Sequence, residues 1–114
     1  MKSRTILVFL SLALMSACNA KLMDLTQTDV ERGNTNYKGV TLESLNEGKN
    51  LYQQNCSECH NLKRPSSETI EKWNKLVPSM VKKLNAKMEK EVIDARKQDL
   101  LLQYLVTASI VPKK

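Results

Sequence analysis

Cys56, Ser57, Glu58, Cys59 and His60 spell C-x-x-C-H, and this run constrains the chain more than anything else in it. The pattern is that of a c-type haem attachment site. On a helix, positions i, i+3 and i+4 share a face. Two thiols so placed can add across the two vinyl groups of one porphyrin, and the next residue turns its imidazole toward the iron. A zinc site would need four ligands, yet His60 is the only histidine and Cys18 the only other cysteine. A thioredoxin-like use of C-x-x-C would need a βαβ context, and no alternating strand pattern of useful length is present. Cys56 and Cys59 are therefore expected as thioether attachment points, and His60 as the proximal ligand of the iron.

The first 17 residues read as an export signal. Lys2 and Arg4 form a positive start, Ile6 to Met15 an apolar stretch, and Ser16 and Ala17 the small residues of a cleavage site. Met15-Ser16-Ala17-Cys18 resembles the lipobox of bacterial lipoproteins. The resemblance implies that Cys18 becomes an acylated N-terminus, anchored by several acyl chains where one would bind only marginally. Asn19, where an Asp would retain such a lipoprotein at the inner membrane of enterobacteria, favours the outer membrane. The three cysteines are then all used, two on haem and one on lipid. An exported haem motif is self-consistent, because bacterial c-type haem is attached outside the cytoplasm.

Loss of residues 1–17 removes two of the 18 basic residues and none of the 12 acidic ones, so the formal charge falls from +6 to +4. Two propionates would lower it further. A mildly basic, exported and anchored chain does not meet nucleic acid, and that class of partner is excluded. Residues 18–40 are polar, with Gly33, Asn34 and Asn36, and read as a tether between lipid and domain. The domain itself is expected over residues 41–114. At roughly 75 residues a side-chain core alone is marginal. Tyr37, Tyr52, Trp73 and Tyr104 are the only aromatic residues after the signal. A covalent haem would supply the missing apolar body.

The apolar spacing is helical throughout, so the expected class is all-α, with three main helices around one haem. Thr41 is placed to cap a helix to about Asn55, with Leu45, Gly48, Leu51 and Tyr52 on one stripe. Ser66 or Ser67 would cap a second, carrying Ile70, Trp73, Leu76 and Val77, which Pro78 should kink or end. A third is expected from about Glu91 to Ser109, with Ile93, Leu100, Leu101, Tyr104, Leu105 and Ala108 apolar.

Gly48-Lys49-Asn50-Leu51-Tyr52 followed by the Cys56 motif resembles the small monohaem cytochromes c of class I. The resemblance runs from about Thr41 to Ala108. It implies that the first and last helices cross closely at Gly48, with Tyr104 packed onto Gly48 and Tyr52. It also implies a sixth iron ligand, and with no second histidine a methionine leads. The segment between motif and last helix lacks the Gly/Pro-rich methionine loop of larger members. Met80, seven residues past Trp73, is the leading candidate; Met88, just ahead of the last helix, is the alternative. An open or lysine-ligated iron is the remaining choice.

Around these residues the sequence offers less specific roles. A backbone carbonyl near Pro65 would accept from the second ring nitrogen of His60. Trp73 reads as core rather than a propionate donor. Lys63, Arg64, Lys72, Lys75, Lys82 and Lys83 form either a docking rim or a solvated helix surface. The expected function is electron transfer on the periplasmic side between a redox protein donor and an acceptor, with no catalytic machinery of its own. The alternatives are a haem protein with an open sixth site, binding gas or acting as a peroxidase, and a cytochrome subunit of a larger oxidoreductase.

Overall fold

The structure, a computed structural model, describes residues 22, 24–56 and 62–110. Signal residues 1–17, Cys18, Cys59 and His60 lie outside the described residues. Among those described the protein is all-helical: α1 (Gln27–Gly33), α2 (Leu42–Asn55), a 3-10 turn (Pro65–Ser67), α3 (Ile70–Met88) and α4 (Ala95–Ser109).

Helix α4 is the centre. Leu100, Leu101 and all five residues from Gln103 to Thr107 are buried, so it is enclosed nearly all round rather than on one stripe. A helix apolar on most sides needs partners on most sides. The other three helices and the 3-10 turn all pack on it. From α3 come Trp73, Val77, Val81 and Leu84, spaced to fall on a single face. From α2 come Leu45, Gly48 and Tyr52.

Thr41 caps α2 as the sequence predicts: its hydroxyl accepts from Ser44 N at 3.0 Å while its own N–H donates to Ser44 Oγ at 2.9 Å. Three other boundaries differ from expectation. The cap of α3 is Thr69, whose hydroxyl accepts from Lys72 N at 3.1 Å, and not Ser66 or Ser67, which belong to the 3-10 turn. Pro78 neither ends nor divides α3, which continues ten residues past it to Met88. Asn74 and Pro78 are both exposed, so water can take the carbonyl that the missing proline N–H leaves unbonded. Helix α4 begins at Ala95 rather than near Glu91. Asp94 caps it by accepting from Lys97 N at 2.8 Å, and Glu89 at φ 54° has already turned the chain out of α3. Asn85 secures this connection, donating to Ile93 O and accepting from Ile93 N, both at 3.0 Å.

The expected tether over 18–40 is corrected over its described part. Leu22, Leu25, Val30 and Val40 are buried with the main core, and α1 packs on α4. Gly33 is what permits the approach: a Cβ there would stand 2.6 Å from Thr107 Oγ1. Asn34 ties the turn that follows. Its amide donates to Val30 O (2.9 Å) and Val40 O (3.0 Å), and its carbonyl accepts from Gly39 N and Val40 N (both 3.1 Å). Gly39, at φ +81°, makes the reversal. The packed domain thus takes in described residues ahead of Thr41, and four α-helices stand among the described residues where three were expected.

Candidate functional site

The site begins where α2 and α4 cross. A Cβ on Gly48 would lie 2.7 Å from Tyr104 Cβ and would also strike the Leu100 carbonyl. Glycine removes that obstacle, and the backbones meet as the resemblance implies. One turn on, Tyr52 stands edge-on to both Tyr104 (centroids 6.1 Å, 66°) and Trp73 (6.2 Å, 81°). Three of the chain's few aromatic residues therefore form one buried cluster behind the end of α2.

That cluster holds the far side of the motif. Tyr52 OH donates to Lys63 O at 2.7 Å, and Trp73 Nε1 donates to Pro65 O at 2.8 Å. The chain leaving the motif is thus pinned at two carbonyls, three and five residues beyond His60. Burial pushes the Tyr52 hydroxyl well above its ordinary range, although its bond to Lys63 works the other way. Burial does the same to Tyr104. Both stay neutral donors at any physiological pH. Near Pro65, where the sequence sought an acceptor for His60, the Pro65 carbonyl itself already accepts from Trp73 Nε1 and, at 3.4 Å, from Glu68 N. Trp73 itself is fully buried core with its N–H satisfied internally, as read from the sequence.

Cys56 ends α2, half-buried, beside a cleft between α2, α3 and α4. Two cavities adjoin there. One of about 220 Å³ has Tyr52, Leu62, Trp73 and Leu76 in its walls. The other, of about 60 Å³, lies against Val77, Val81, Leu84, Ile93, Leu101 and Leu105. Cys56, Met80 and Lys83 border both. Most of this lining is aliphatic or aromatic, and the sulfur-bearing side chains of Cys56 and Met80 face it. Such a donor set and such walls fit a flat apolar group tethered at Cys56 and ligated by a thioether. A porphyrin is larger than either cavity, so held there it would fill both and leave an edge at the surface.

The structure separates the two methionines. Met80 is packed against the core on the cleft wall. Met88 is the last residue of α3, 46 % exposed, and borders neither cavity. Of the six cations read as a rim, Lys63 and Lys83 border the cleft, and Lys63 is paired with Glu68 at 2.8 Å. Arg64, Lys72, Lys75 and Lys82 are exposed and outside its lining.

Sequence reasoning missed the strap of residues 22–40 and the polar groups beneath it. Gln103 and Thr107 are buried in α4, and neither Gln103 Oε1 nor Thr107 Oγ1 has a hydrogen-bond partner. A signal for α1 does exist. Thr26-x-x-Asp29 is a capping box, and Thr26 N donates to Asp29 Oδ2 at 2.7 Å.

Among the described residues no group of three or more His, Cys, Asp or Glu side chains gathers to hold a metal ion. No helix among them is long and apolar enough to cross a membrane. No protein-family model, curated protein or solved structure matches the chain.

Proposed function

We propose that this chain is an exported, lipid-anchored electron-transfer protein of the cytochrome c kind. It would carry one electron on a single haem joined to Cys56 and Cys59, with His60 and Met80 as axial ligands. The observation that carries this reading is the shared cleft. Cys56, the first residue of C-x-x-C-H, and Met80, the leading sixth ligand, border the same apolar cavities. The haem, when bound, supplies a reversible one-electron couple, and a sulfur ligand opposite histidine favours its reduced form.

The chain's own residues would do the rest. Val77, Val81, Leu84 and Leu105 give the cleft an apolar wall and would set a low dielectric around a haem held there. Tyr52 and Trp73 hold the chain beyond the motif at the Lys63 and Pro65 carbonyls. Were His60 and Met80 both to hold the haem iron, no open position would remain there for a substrate, as a carrier requires. The charged partners would be a redox donor and an acceptor, met on the periplasmic side with the anchor at Cys18.

The test is expression of the full chain in a host with c-type maturation machinery. One haem per chain should survive denaturing electrophoresis, and the ferric form should show a weak near-infrared sulfur-to-iron band. Cys56→Ala or Cys59→Ala should yield little folded holoprotein, because a domain of this size has few other means of completing its core. No covalent haem in the wild-type chain would overturn the proposal. Covalent haem without the sulfur band would transfer it to an open-site protein that binds gas or acts as a peroxidase.

A further inference from the structure

The strap changes where the domain can stand relative to a membrane. If residues 18–40 were a flexible tether, their ends would lie about 26 Å apart on average and much farther at full stretch. They are not free over that length. Described residues of this stretch are fastened at four points: Leu22 and Leu25 are 5 % and 7 % exposed, and Val30 and Val40 are 5 % and 3 % exposed. Asp24 also meets Lys49 of α2 at 2.9 Å. Only residues 19–21 separate Cys18 from Leu22. Four Cα-to-Cα steps reach at most about 14 Å however the chain runs.

We propose that the α1 strap holds the folded domain flush against the lipid surface, with Leu22 no more than about 14 Å from the acylated Cys18. The inference rests on the lipid anchor proposed above, and it goes beyond it by fixing the height of the domain. The site is close to that attachment. Lys49, which receives Asp24, and Cys56, at the cleft, lie on one helix seven residues apart, about 10 Å along its axis. The partner that fits this geometry is a protein itself embedded in or seated on the same membrane. A soluble shuttle that needs the domain to swing clear of the surface does not fit.

Energy transfer to the bilayer tests this. The full-length holoprotein, carrying a donor dye on a non-natural residue at exposed Glu71, is reconstituted into phosphatidylethanolamine/phosphatidylglycerol vesicles containing an acceptor-labelled lipid. Inserting about 15 Gly/Ser residues between Lys21 and Leu22 should lower transfer about twofold or more, since it gives the domain the freedom the strap denies it. Leu25→Asp with Val30→Asp, which undocks the strap, should lower it in the same direction. The insertion leaves the packed residues intact, so it decides the matter even where the double substitution impairs folding. Mass analysis of the mature N-terminal peptide separates the two readings. Acylated Cys18 with transfer unchanged by the insertion overturns the flush placement alone. An unacylated Cys18 overturns the placement and the lipid anchor together.

Discussion

Gly48 and Tyr104 stand so close that a Cβ on the glycine would lie 2.7 Å from the tyrosine Cβ. Helix propensity by itself makes Gly→Ala in a helix interior stabilising by about 1 kcal/mol. Here the neighbours are the Leu100 carbonyl and the root of a fully buried side chain, neither of which can swing aside. Gly48→Ala should therefore destabilise the holoprotein by about 2–3 kcal/mol through overpacking. Thermal and denaturant unfolding would read this directly. An unchanged or raised midpoint would mean that α2 and α4 part without cost.

Trp73 should matter through its N–H as well as its bulk. Trp73→Phe removes the 2.8 Å bond to Pro65 O and leaves that carbonyl only the longer one from Glu68 N at 3.4 Å, which should cost about 1 kcal/mol. Tyr52→Phe removes the 2.7 Å bond to Lys63 O in the same way. Both variants should speed hydrogen exchange in residues 62–67 more than in α1. Equal effects on both segments would mark a general loss of packing in place of a local clamp.

The strap should be the acid-sensitive part. Burial pushes the Asp29 carboxyl up, but the Thr26 N–H and the Arg32 guanidinium outweigh it, and the net shift is downward. A carboxyl with a folded pKa below its unfolded one stabilises above the unfolded value, near pH 4, and loses that contribution as pH falls through the folded value. Amide protection in α1 should therefore weaken below about pH 4 in the wild type. Asp29→Asn should weaken it at neutral pH already and flatten the acid limb. A limb as steep in Asp29→Asn as in the wild type would assign the sensitivity elsewhere.

Met80 and Met88 should behave oppositely. In the haem-loaded protein Met80→Ala should abolish the near-infrared band, lower the reduction potential and admit added cyanide or carbon monoxide. Met88→Ala should leave all three nearly unchanged, since that side chain is 46 % exposed at the end of α3. The reverse pattern would give the ligand role to Met88.

Much of the layout was legible because periodicity reports packing faces directly. The stripe Leu45-Gly48-Tyr52 and its counterpart in α4 announced two apolar faces, the crossing at Gly48 was implied by the resemblance, and Thr41 announced a start. Met80 was placed by its seven-residue spacing from Trp73, whereas Val81 and Leu84 beyond Pro78 were not read as part of that face. Residues 22–40 were not legible, because their work is done by polar atoms. Asn34 reads as a linker residue by type, yet its four hydrogen bonds close the turn, and no pattern of apolar residues records them. Pro78 misled for a related reason. Its cost depends on whether water reaches the freed carbonyl, which sequence does not state. The C-x-x-C-H run is the converse case, written plainly at Cys56–His60 and described structurally only at Cys56.

The enclosure of α4 has a consequence for how the molecule comes into being. Each of the other helices rests on it, and it is the last of the four to be made. A chain delivered from its N-terminus has α1, α2 and α3 on hand before their common support arrives. Until then Cys56 and the residues after it cannot be closed over by a finished core. The core closes only once that last helix has been released to its partners.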